Sequence, residues 1–122
     1  MRRLRSTLLL LVIYGCASAP PQLSPEAAIA WKGTQVIKAL DTVRDMAIAA
    51  SATVPPLLST ATTRKIVVYH DSALDLVHAA PSGWLRIVEV GLEELLQDLP
   101  ERDKQLLGSY IGLAQGVIRG LQ

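Results

Sequence analysis

Residues 24–56 read SPEAAIAWKGTQVIKALDTVRDMAIAASATVPP. Ser24, Pro25 and Glu26 are a helix start in miniature: a hydroxyl able to cap, a proline at the first helical position and an acid in the first turn. From there Ile29, Gly33, Val36, Leu40, Val43, Ala47, Ala50 and Val54 step by alternating fours and threes. That period puts them on one stripe of a long amphipathic helix. Lys38, Asp41, Arg44 and Asp45 fall off the stripe, at spacings where opposite charges can pair. The run must stop before Pro55-Pro56.

The same grammar repeats downstream. Ser59 or Thr60 can cap a second helix with Ile66, His70, Ala73, Leu74 and Val77 on one face, and Pro81 ends it. Ser82 can cap a third, with Leu85, Val88, Leu92, Leu95 and Leu99 inward and Arg86, Glu89, Glu93 and Glu94 outward. Pro100 restarts the chain, with Glu101 and Asp103 where a helix N-terminus favours negative charge. The fourth helix presents Leu107, Tyr110, Ala114, Val117 and Leu121. No segment alternates as a strand would. The expected fold is all-α, a small antiparallel bundle of about four helices over residues 25–122.

Composition agrees with one packed domain. Half of the 122 residues are apolar and 19% are charged, there is no Phe, and the apolar content is Leu, Ala, Val and Ile. Three of the twelve basic residues, Arg2, Arg3 and Arg5, sit at the extreme N-terminus, so the remainder is slightly acidic. No basic footprint for nucleic acid is left. One cysteine cannot form an intramolecular disulfide or a multi-cysteine zinc site.

The N-terminus has the layout of a secretory signal. Met1 to Arg5 is basic, Leu8 to Ile13 is apolar, and Tyr14-Gly15-Cys16 follows. The uncharged span from Ser6 to Ala19 is shorter than the roughly 20 apolar residues that cross a bilayer. Ile13-Tyr14-Gly15-Cys16 resembles the lipobox of bacterial lipoproteins, with Tyr14 standing where that family usually has a small residue. The resemblance implies cleavage after residue 15, diacylglycerol on the Cys16 thiol and acylation of the new amino group. Residues 16–24, the Cys and a stretch without periodicity that contains Pro20-Pro21, read as a tether, and the resemblance implies that Ala17 favours the periplasmic face of a bacterial outer membrane. More than one acyl chain makes such anchoring stable, at about 0.8 kcal/mol per buried methylene. The layout is also similar to that of small lipoproteins of bacterial and phage or prophage genomes, which selects no single role. A competing cut after Ala19 would discard Cys16 and release a soluble periplasmic or secreted helical protein, a small-ligand carrier or an inhibitor. Pro20-Pro21 beyond that cut argues against it.

Gly108, Gly112, Gly116 and Gly120 recur at a strict spacing of four inside the fourth helix. Each costs about 1 kcal/mol against Ala in a helix interior, so a compensating contact is expected. The expectation is close packing against the Ala-rich first helix of the same chain. A second copy or a partner helix is the alternative. Transient membrane insertion is a third reading, weakened by Lys104 and Arg119, which bracket too short a span.

The remaining candidates have bland readings. His70, on an apolar face beside Tyr69, reads as a core histidine with a hydrogen-bond partner. Asp71, Asp75 and His78 share a helix face that could touch a metal, but three ligands from one helix rarely close a site, and a solvated acidic face explains them. Glu89, Glu93 and Glu94 read as exposed helix acids rather than paired catalytic carboxylates. Trp84 is expected in the core, and Trp31 is left open between core and partner anchor. No nucleophile elbow, phosphate-binding glycine loop or zinc-protease helix motif is present, so neither an enzyme nor a cofactor is expected. An enzyme would require His70, Asp75 and a glutamate of the third helix to converge.

Overall fold

Four amphipathic helices can turn their apolar stripes toward one common axis. The computed structural model describes residues 23–122, and shows helices α1 (Pro25–Ser51), α2 (Thr60–Ala79), α3 (Trp84–Asp98) and α4 (Glu101–Leu121). The fold is an all-α antiparallel bundle, with no strand among the described residues. Each helix packs on its chain neighbour, and α4 closes the ring against α1.

Cross-helix contacts show the alternation of direction. Gly33 meets Val77 and Asp41 meets His70 between α1 and α2. Lys65 reaches Asp98 between α2 and α3, and Glu93 meets Gln115 between α3 and α4. The core lies along the bundle axis. It contains Val36, Leu40, Val43 and Ala47 of α1, Ile66 and Ala73 of α2, Val88 and Leu92 of α3, and Leu107, Ile111 and Ile118 of α4.

Local sequence accounts for the helix ends. Ser24 Oγ accepts the Ala27 N–H at 3.2 Å, and Ser59 Oγ accepts that of Thr62 at 3.2 Å. The connection before Pro55-Pro56 folds around Thr53, whose Oγ1 donates to the Ala50 carbonyl at 2.9 Å and accepts the Leu57 N–H at 3.0 Å. Leu58 then plugs the core. Between α2 and α3 the expectation of a Ser82 cap is corrected. Gly83 is the N-cap, at φ 76°, a left-handed conformation open to glycine at little cost.

Three other expectations are corrected by packing. The α1 stripe outruns the bundle, so Val54 is 98% exposed and Ile29 is exposed too. On α4 the buried apolar set is Leu107, Ile111, Ala114, Ile118 and Leu121, which leaves Tyr110 half-buried and Val117 exposed. Steps of three-four and of four-three fit one helical period equally well, and only the neighbouring helices choose between them. Leu74 and Leu85 are half-buried flanks, while Thr62 and Trp84 are buried.

Candidate functional site

Helix α4 carries the site residues singled out by sequence. The glycines step by four where the helix turns every 3.6 residues, so the stripe drifts about 40° per step. It leaves the core side at Gly108, which is half-buried, and runs onto the outer surface at Gly112, Gly116 and Gly120. A Cβ placed on any of the four would have no atom of another helix within 4 Å. The expected close packing of this stripe on α1 is therefore overturned. Within the bundle the close approaches use other glycines. Gly33 would bring a Cβ to 3.0 Å from Val77 Cγ1, and Gly91 to 3.0 Å from Tyr69 Cε2.

The glycine face borders a groove of about 400 Å³ lined by Gln35 of α1 and by Leu113, Val117 and Leu121 of α4. Leu113 is 70% exposed and Val117 39% exposed. Isolated apolar side chains on a surface are ordinary, but here they flank a strip of bare helix backbone. That combination suits a flat apolar partner able to come close to the helix axis.

Cys16, the lipidation candidate, lies outside the described residues, as do Ile13, Tyr14, Gly15 and Pro20-Pro21. No described helix is long and apolar enough to cross a membrane.

Among the described residues, the hydrogen-bonded groups around His70, Glu89 and Asp103 are separate from one another. His70 is 1% exposed, and its Nε2 lies 2.6 Å from Asp41 Oδ1 and 3.3 Å from Arg44 Nη1. Its Nδ1 lies 3.1 Å from Asp71 Oδ1. It is the core histidine with a hydrogen-bond partner that sequence suggested. Asp75 and His78 are exposed, and no group of three His, Cys, Asp or Glu side chains is placed to hold a metal among the described residues.

Glu89 was expected outward and is 8% exposed, a correction whose cause lies on α4. Arg119 of α4 and Gln122 just past its end reach across and, with Arg86, donate to its carboxylate. Glu93 accepts Gln115 Nε2 at 2.5 Å. The polar partners of His70 and of Glu89 have no residue in common, and Asp75 bonds to neither. His70, Asp75 and the glutamates of α3 are not linked to one another by hydrogen bonds.

Asp103 is the functional-looking group that sequence reasoning placed only as a helix-end charge. It is buried, and it accepts hydrogen bonds from the hydroxyls of Thr62 and Ser59, tying the first turns of α2 and α4. No sequence spacing links residues so far apart. Trp84 is in the core as expected, and Trp31 is half-buried at the edge of that core.

Comparison with protein-family models, with curated proteins and with solved structures found no match for this chain.

Proposed function

We propose that this chain is a membrane-anchored lipoprotein whose helical bundle acts by binding or assembly at the cell envelope, without enzymatic activity. Cys16 is the anchor, and the α4 face of Gly108, Gly112, Gly116 and Gly120 is the contact surface for a second copy or a partner helix. The observation that carries the contact surface is the open space over all four glycines. In the bundle alone they lower helix stability and bring no neighbour closer. A docked helix would offset that cost through backbone approach.

The anchor reading rests on the lipobox resemblance at Ile13-Tyr14-Gly15-Cys16. It is compatible with a bundle that has no membrane-spanning helix among the described residues. The location that follows is the periplasmic face of an outer membrane.

One experiment tests both halves. The protein is expressed with its own leader in a diderm host, beside Cys16→Ser and Gly112→Leu/Gly116→Leu variants, and is followed by intact mass and by crosslinking in the envelope. A mature mass starting at Cys16 plus the lipid increment, lost in Cys16→Ser, is expected. Crosslinks lost in the double leucine variant, whose mass is unchanged, are expected for the glycine face. An unlipidated species starting after Ala19 would overturn the anchor, and crosslinks indifferent to the leucines would overturn the contact surface.

A further inference from the structure

A second groove, on the far side of the bundle from α1, lies between α2 and α3 and measures about 530 Å³. That is within the roughly 300–1,000 Å³ range of small-molecule sites. Its apolar lining comes from Leu95 of α3, which is buried, and Val68 of α2, which is exposed. Its far wall is the ring of Tyr69, fixed at two points. The phenol donates to the Val88 carbonyl at 2.7 Å, and the ring lies over Gly91, where the missing Cβ makes room.

The opposite end is cationic. Arg64 and Lys65 stand there, and Lys65 is already paired with Asp98 at 3.0 Å. Arg64 has no ion-pair partner among the described residues. Ala61, in the first turn of α2, leaves the groove open beside it, where the helix dipole also favours an anion. From Ala61 to Tyr69 the groove runs two turns of helix, about 12 Å. One unpaired guanidinium within a groove of that length, beside an apolar stretch from Val68 to Tyr69, complements one acidic head on one alkyl tail.

We propose that this groove binds a monomeric single-chain amphiphile with a carboxylate head. Arg64 grips the carboxylate in its fork, Val68 and Leu95 cover the tail, and the Tyr69 ring closes the end. The proposal is independent of the α4 glycine face and of the lipid anchor.

The test is a titration of the full chain with decanoate held below its micelle-forming concentration, followed by backbone amide NMR. Decyltrimethylammonium and anionic phospholipid vesicles run beside it. Saturable decanoate shifts centred on Ala61, Val68, Tyr69 and Leu95 are expected, with affinity lowered about tenfold by Arg64→Gln and binding lost in Val68→Asp. Arg64 and Val68 are exposed, so circular dichroism of both variants should match the parent. Equal binding of the cationic amphiphile, binding to vesicles alone, shifts centred on another groove, or no saturable shift overturns the proposal, and the parent protein decides each of these without the variants.

Discussion

Asp41 on α1 and His70 on α2 meet at 2.6 Å, Oδ1 to Nε2, across the interface that joins the first two helices. The imidazole is buried while the carboxylate is partly open to water. Truncating Asp41 leaves a buried ring nitrogen short of a partner, with only Arg44 nearby. Asp41→Ala is expected to cost about 1–2 kcal/mol in chemical denaturation. A double-mutant cycle with His70→Leu should return a coupling of about 0.5 kcal/mol or more. Purely additive losses would show that the pair is geometry without energy.

Four helix glycines should divide by sign. Gly112→Ala and Gly116→Ala meet open space, so each is expected to stabilise the bundle by about 1 kcal/mol through helix propensity. Gly33→Ala and Gly91→Ala push a methyl against Val77 and Tyr69, and should fall between no change and a loss of about 2 kcal/mol. Thermal melts of the four single variants check this. Destabilisation by Gly112→Ala would mean that the outer face of α4 is packed after all.

Tyr69 gives the alkaline side of the stability profile. Burial of the phenol raises its titration far above the ordinary 10.0, because the phenolate would lose its hydration. The unfolded chain then releases this proton at lower pH than the folded one. Its contribution is full below about pH 10 and is lost progressively as pH rises beyond it. Denaturation as a function of pH should show a steeper alkaline loss in the parent than in Tyr69→Phe. The variant should start about 1 kcal/mol lower at neutral pH, having lost its bond to the Val88 carbonyl.

The Thr62–Asp103 bond ties α2 to α4 across the bundle, and the carboxylate is buried. Thr62→Val keeps the shape of the side chain and removes the hydroxyl, leaving Asp103 with Ser59 alone. The expected loss is about 1–3 kcal/mol in thermal or chemical unfolding. Thr63→Val, one residue along and bonded only to the Ser59 carbonyl, should change far less.

The helical bundle was legible in the chain because its signals are local. A serine before each of the first two helices, prolines at the breaks and an apolar residue every three or four positions act within one or two turns. Each needs no knowledge of what lies opposite. His70 and Trp84 were readable as core for the same reason, since both fall on such a face. The proposed lipid anchor at Cys16 rests on sequence alone, on four consecutive residues that lie outside the described ones.

Tertiary structure decided everything that depends on which face meets which. Ile111 and Ile118 displaced Tyr110 and Val117 from the core because the α4 pattern fits two rotations of the helix equally well, and only α1 and α3 break the tie. Glu89 went inward because Arg119 and Gln122 arrive from another helix, and Asp103 because the hydroxyls of Ser59 and Thr62 do. The glycines of α4 show the limit most plainly. Their spacing marks a strip where a backbone can come close, and whether anything does is settled by the arrangement of the other helices, which turns that strip outward and leaves it open.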